Sequence, residues 1–422
     1  MKSIIDYCCS AIIACEVIWL FYILKPQFIE STNNISTNDL LLHRYVIKYI
    51  GKYVLKGISP YDFFLPGLNT GFPLVSHYQH LPHVIIGICN SFYEKINADT
   101  AILFLLSTMP IMVFYGSKKL GFNSAAAVFI TMLYPIINDC PPPQNRQQGV
   151  QYSYGIGINS QIHNGHGLFS QLLAIYLFFP ALGISFNAMV KLHQNRNETW
   201  KNIILASMLI SSVLLSNVFY GYMVLGSLCI LEVLLLTIYL HSRITTDGIQ
   251  FILYQFKQTN ILKSIFRFLL ILVLVGSMIS YFVIPFLKNR YVVNEIEHRK
   301  WKFDSVGWTW FYIKFMDGDL LDFGFTSKII TSTTFVGFII SIYKTIIYVI
   351  SLQRLSSYQY DIRNVILYIW IIVSFLFWGI MFAGRTCFAQ YPIVLKLLPF
   401  SSSLHFHRFI SAMQIFAICT CK

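Results

Sequence analysis

Residues 268–287, FLLILVLVGSMISYFVIPFL, run for 20 positions without a charged side chain. A helix of that length crosses the hydrocarbon core of a bilayer, where backbone groups have no water and must bond within the helix. Comparable runs recur along the whole 422-residue chain. An all-α, polytopic bundle of membrane-spanning helices is therefore the expected fold. Composition agrees: the chain is 56% hydrophobic and 12% charged, against about a quarter charged in soluble domains. The two-residue alternation of an outer-membrane barrel is absent. The net charge of +13 is carried by short loops between apolar runs, where basic residues set membrane orientation. No basic patch interleaved with aromatics stands in a polar segment, so nucleic acid is excluded as a partner. The nine cysteines include no CxxC pair, which argues against a zinc ribbon or a redox motif.

Hydropathy predicts about nine spans, near 4–24, 98–116, 123–139, 167–190, 202–217, 219–241, 264–288, 329–352 and 364–384. Two shorter apolar stretches, 81–94 and 404–420, read as re-entrant or interfacial. The first run contains Asp6 and Glu16 and has no clear small-residue cleavage site, so it reads as a retained helix. If 81–94 does not cross, the loops carrying Lys118 and Lys119, Arg196, Arg243, and Arg354 and Arg363 all fall on one side. That side is expected to be cytoplasmic, with the N-terminus, in a multi-pass protein whose membrane the sequence does not specify. Residues 25–97 then form the first non-cytoplasmic loop, with interfacial helices, and residues 289–328 a late one.

The first outer loop contains TNDLLLHRYVIKYI at residues 37–50. Thr37 or Asn38 can cap a helix there, and Asp39 suits its positive end. Asp39 and His43, four apart, share a face, while Leu40, Leu41, Ile47 and Ile50 supply an apolar side. An amphipathic helix at the membrane surface over 37–55 is the expectation. The acid and imidazole together suit proton transfer. They equally suit a capping Asp beside a His that solubilises one face, and spacing alone leaves both readings open.

Other candidates lie on the same side. HYQHLPH places His77, His80 and His83 at steps of three, which do not share one helical face and are interrupted by Pro82. They read as interfacial polar groups beside aromatics, with metal binding as the lesser reading. HNGH supplies His163 and His166. The late loop sets Asp304, Asp317, Asp319 and Asp322 among Trp301, Trp308 and Trp310. Rings stack on sugar faces and carboxylates accept their hydroxyl hydrogen bonds; interfacial Trp also serves as an anchor. Arg408, after His405 and His407, carries a planar fork that suits a phosphate. Glu16 and Glu232 stand inside apolar runs, the kind of group that a transporter uses.

The order of motifs resembles a known family. Asp39 and His43 are followed by Gly57 and Pro60, Gly71 and Pro73, and an aromatic entry at Tyr78, Leu81 and Pro82. GHGLFSQLLAIYLFFPALGI at 165–184, WKFDSVGW and DGDLLDFG at 301–308 and 317–324, and LPFSSSLHFHRF at 398–409 continue it. This series resembles the 6-pyruvoyl-tetrahydropterin synthase-related integral membrane proteins, which look like multi-span glycosyltransferases of the GT-C type. His80 stands where that family commonly has a proline. The family continues past the Arg-Phe segment, so a single polytopic domain over 1–422, truncated at its C-terminus relative to the family, is expected.

The resemblance implies transfer of a sugar from a polyprenyl-phosphate carrier, or another lipid partner, on the non-cytoplasmic face. It implies Asp39 as base, His43 as its orienter, and Arg408 as a phosphate contact, with His163, His166, Asp304 and Trp308 as further substrate contacts. A divalent cation is one candidate for holding the leaving phosphate; the sequence identifies no cofactor. The alternative is a non-catalytic membrane protein, a transporter, flippase or scaffold that keeps the fold.

Overall fold

The computed structural model describes residues 2–26, 28, 39–61, 65, 78–137, 155–158, 169–190, 196–244, 260–288, 307–322, 328–354, 362–384, 398 and 406–420. Among these residues the regular structure is helical and no β-strand occurs. In chain order the helices are α1 (Lys2–Lys25), α2 (Asp39–Leu55), α3 (Leu81–Phe92), α4 (Ala98–Leu120), α5 (Ser124–Leu133), α6 (Phe169–Val190) and α7 (Arg196–Ser216). They continue with α8 (Val218–Ile244), α9 (Asn260–Lys288), α10 (Trp308–Met316), α11 (Ile329–Arg354), α12 (Ile362–Ala383) and α13 (Ile410–Thr420).

Among the described residues eight helices, α1, α4, α6, α7, α8, α9, α11 and α12, are long and apolar enough to cross a membrane. The expected span at 123–139 is the exception. Helix α5 stops at Leu133 and gives way to one 3-10 turn over Tyr134–Ile136. Pro135 lacks the N–H that would continue the α-helical ladder, and its ring crowds the preceding turn. The apolar stretches at 81–94 and 404–420 form short helices, as their lengths require. α3 has 12 residues. α13 has 11, all buried, after a 3-10 turn over Phe406–Phe409. α13 lies inside the bundle against α11 and α12, so it is a core element and not an interfacial one.

Local sequence explains where α4 starts and stops. Asn97 accepts a hydrogen bond from the Thr100 backbone N–H at 3.0 Å, and the Thr100 hydroxyl accepts one from the Asn97 N–H at 2.9 Å. This reciprocal box satisfies two of the four orphan donors at the helix start. At the other end Gly121 turns left-handed at φ 109°, a conformation that a Cβ disfavours. Lys118 and Lys119 occupy the last turn, where cations suit the negative end of the helix.

α6 is the centre of the bundle and contacts α3, α4, α7, α8 and α9. Its partner α4 runs parallel to it, with Thr108 beside Tyr176 and the ends at Lys119 and Asn187 joined through Arg363, and two glycines set how closely they pack. A Cβ on Gly116 would collide with the Phe179 backbone, and one on Gly183 would collide with the Gly116 carbonyl. Small residues that let helix backbones touch are a common packing device in membranes, where dispersion replaces the hydrophobic drive. α12 is fastened to α8 by polar bonds inside the apolar core. Trp370 Nε1 donates to the Ser227 carbonyl at 2.7 Å, and Trp378 Nε1 donates to Ser227 Oγ at 2.9 Å.

The two ends of the bundle differ in chemistry. At one end Arg363 donates to the Lys119 carbonyl and to Asn187 Oδ1, over the Phe186 ring. Arg267 donates to the Ala188 carbonyl. Lys118 donates to Ser124 Oγ, which itself donates to Asp6. The start of α1 therefore shares an end with Lys118, Lys119, Arg267 and Arg363. The opposite end holds α2, α3 and the first turn of α6.

The glycine contact yields a direct test. Gly116→Val should destabilise the purified protein by roughly 1–3 kcal/mol, the usual cost of overpacking, read as a lower thermal unfolding midpoint in detergent. Gly276→Ala, where an added Cβ meets nothing within 4 Å, should be neutral or stabilising, because alanine suits a helix interior better than glycine.

Candidate functional site

α2 begins at Asp39, within the expected 37–55, and its buried face is formed by His43, Val46, Ile47 and Ile50. These recur at steps of three and four, so one stripe faces α3. Leu41, expected on the apolar side, is 59% exposed, whereas His43 is 1% exposed. The imidazole thus lies within the packed stripe and does not solubilise a polar face. The Asp39 side chain lies outside the described residues.

His43 finds its partner across the helix pair. Its Nδ1 is 2.7 Å from Nε2 of His83 on α3, and His83 is equally buried at 1% exposed. Gly87, one turn further along α3, allows the approach: a Cβ there would meet the Ile50 side chain and the Ile47 carbonyl. Aromatic rings close around the pair. Phe169, in the first turn of α6, lies 6.0 Å from the His43 ring centroid and 5.6 Å from that of His83, and Tyr78 lies 5.9 Å from His83. The next residue of α2, Arg44, forms a two-pronged ion pair with Asp99 in the first turn of α4, at 2.9 and 2.6 Å. That geometry holds both charges with good directionality and fixes α2 to the start of the α4 span.

The third imidazole, His80, closes a second set of contacts. Its Nδ1 lies 3.1 Å from the Tyr78 carbonyl, which can only accept, so Nδ1 carries the proton. Nε2 is then the acceptor for the Tyr281 hydroxyl of α9 at 2.8 Å. His80 and His83 are therefore buried parts of the helix junction and not interfacial polar groups. His77 lies outside the described residues. Among the described residues no group of three His, Cys, Asp or Glu side chains could hold a metal.

Burial dominates the electrostatics. It holds His43 down to about 4 from 6.5, because the charged imidazolium loses hydration. His80 is lowered for the same reason, and His83 well below 6.5, with the neighbouring imidazoles opposing a second positive charge.

Arg408 lies at the same end of the bundle. It is half-buried in the 3-10 turn before α13, with its guanidinium 4.8 Å from the Phe219 ring centroid at the start of α8. Tyr220, next to Phe219, donates to Ser411 Oγ at 2.7 Å and is hydrogen-bonded to Gln171 in the first turn of α6. Phe169 and Gln171 thus link the imidazole pair on one side of α6 to the Arg408 neighbourhood on the other.

The remaining sequence candidates divide. Trp308 is 52% exposed at the start of α10 and stacks on Phe311. Asp322 is buried and accepts bonds from Ile330 N–H, Thr331 N–H and the Thr331 hydroxyl, which makes it a cap for α11 rather than an open acceptor. Asp319 pairs with Lys314 at 2.7 Å. Glu232 accepts from Ser264 Oγ at 2.6 Å, and both Glu16 carboxylate oxygens lack a hydrogen-bond partner among the described residues. His163, His166, Asp304 and Trp301 lie outside the described residues. Sequence reasoning missed the His43–His83 pair and the Arg44–Asp99 pair. A charge at the first turn of a span, Asp99, was the available signal for the second.

No family model matches the chain, and no curated protein matches it. Among solved structures it is similar to the archaeal oligosaccharyltransferase AglB from Archaeoglobus fulgidus, determined in complex with an inhibitory peptide and a dolichol-phosphate. The TM-score is 0.44 at 11% sequence identity, over 96% of this chain and 50% of that one. The chain thus spans half the length of that protein. A likeness this weak carries no argument about activity.

The imidazole burial predicts a pH dependence. The unfolded chain binds more protons than the folded one between about 6.5 and about 4, so this contribution is fully present above about 6.5 and is lost as pH falls through that window. For His43 alone the loss is on the order of 3 kcal/mol. Thermal unfolding in detergent should show a midpoint falling across this window, and His43→Gln should flatten the fall.

Proposed function

We propose that the chain is a membrane-embedded, glycosyltransferase-like protein that moves a sugar from a polyprenyl-phosphate donor on the non-cytoplasmic face. The observation that carries this reading is the gathering of the candidate polar residues at one end of the bundle. There α2 begins at Asp39, one turn before the buried His43, and Arg44–Asp99 ties that turn to a span. The Lys118, Lys119 and Arg363 cluster occupies the opposite end, which by the basic-residue rule is the cytoplasmic end, with the N-terminus. The motif order resembling the 6-pyruvoyl-tetrahydropterin synthase-related family supports the same reading.

In the proposed chemistry the donor's lipid tail stays among the helices and its phosphosugar reaches the outer end. Asp39 takes the proton of the acceptor hydroxyl as that oxygen bonds to the anomeric carbon. The bond to the phosphate breaks, and the leaving polyprenyl phosphate keeps the electron pair. Arg408 holds that phosphate, with its planar fork suited to two oxygens at once. The rings of Tyr78 and Trp308 offer faces on which a sugar stacks.

A transfer assay with a lipid-linked sugar donor tests the assignment. Asp39→Asn keeps the shape and removes the proton acceptor, so the rate should fall by roughly 10²–10⁴ with the unfolding midpoint unchanged. Arg408→Lys should weaken donor binding more than it affects folding. An Asp39→Asn protein with the wild-type rate would exclude Asp39 as the base.

A further inference from the structure

The His43 ring contains a polar atom left unanswered among the described residues. Nδ1 faces His83, but Nε2 is buried and has no hydrogen-bond partner among the described residues. What that atom can bind depends on whether it carries a proton. Two neutral imidazoles 2.7 Å apart share one proton between their facing nitrogens, so the tautomer of one ring fixes that of the other.

The surroundings of His83 decide the tautomer. His83 lies in the first turn of α3 and faces the backbone carbonyls of Gln79 and His80. With Nε2 turned to His43, Nδ1 is the atom that meets them, without closing a full hydrogen bond to either. A lone pair against two carbonyl oxygens repels, whereas an N–H attracts, so Nδ1 of His83 holds the proton. Nε2 of His83 is then an acceptor, and Nδ1–H of His43 donates to it. Nε2 of His43 is left as a bare lone pair in a desolvated site.

We infer that His83 is a positioning residue, and that it sets His43 to accept a hydrogen bond at Nε2 from a neutral, hydroxyl-bearing ligand. This rests on the proposed transfer reaction, in which the ligand is the acceptor alcohol or sugar. It also changes the role of His43: a bare Nε2 repels an ionised Asp39 carboxylate and so cannot orient it by donation. The same lone pair disfavours the donor's phosphodiester, whose free oxygens carry no proton to donate. The α2–α3 junction therefore takes the acceptor, and the donor's phosphate belongs to the Arg408 side of α6. Among the rings around the pair, Phe169 is buried and Tyr78 is partly exposed, so entry is past Tyr78.

The test is nitrogen NMR of the full chain in lipid nanodiscs with ¹⁵N-labelled histidine, the His43 signals being assigned by their absence in His43→Gln. The expected spectrum of His43 near neutral pH shows a protonated Nδ1 and an unprotonated Nε2. Methyl β-D-glucoside should shift the Nε2 signal and inorganic sulfate, which can only accept, should not. In His83→Phe, which keeps a ring but loses the acceptor, the fixed Nδ1–H pattern should disappear. A protonated Nε2 in the wild-type protein overturns the inference, as does a shift caused by sulfate and not by the glucoside. If His83→Phe does not fold, the wild-type tautomer decides alone. The measurement needs no turnover, so a chain with this tautomer and no transferase activity would overturn the proposed reaction and leave the His83 assignment standing.

Discussion

The close contact of α4 with α6 is the constraint from which the rest of the arrangement follows. Gly116 and Gly183 let the two backbones touch, and α6 then becomes the buried axis that most other helices surround. Because the two run parallel, the start of α6 lies on the same side as the start of α4, beside α2 and α3 and not beside Lys118. Phe169 and Gln171 are thereby placed between two polar neighbourhoods, the imidazole pair and the Arg408 region. A wider spacing of α4 and α6 would loosen both sides at once, since interiors packed to this density do not deform locally.

Several polar groups inside this apolar bundle pair directly with one another. Buried imidazoles, tryptophan N–H groups and tyrosine hydroxyls each lose water, and an unmade bond costs more than a made one gains. Trp370 and Trp378 use Ser227, Tyr220 uses Ser411, and His80 uses Tyr281. The Nε2 of His43 has no hydrogen-bond partner among the described residues, and the rings of Phe169, Tyr78 and His83 close around it.

Much of the fold was legible in the sequence because membrane spans are written as long charge-free runs. The start of α2 was legible too, since Asp39 follows polar residues and precedes an apolar run. Within 123–139 the α-helix is shorter than expected, because hydropathy measures composition and is blind to the single missing N–H of Pro135. The face of α2 was misjudged for a related reason. A spacing of four shows that Asp39 and His43 share a side, but it cannot tell which side the rest of the chain will cover. His43 pairs with His83, 40 residues away, through a helix–helix contact that no local pattern encodes. Asp322 was read among sugar-binding acids because a helix cap and an open carboxylate look alike until the next helix is in place.

The central claim is that the end of the bundle bearing His43 and Arg408 serves a lipid-linked sugar. Mass spectrometry of lipids that co-purify with the protein in mild detergent tests it most directly. The account predicts a polyprenyl phosphate, bare or carrying a sugar, enriched over its level in the surrounding membrane and depleted in Arg408→Lys. Bulk phospholipid alone, with no polyprenyl species retained by either protein, would contradict it.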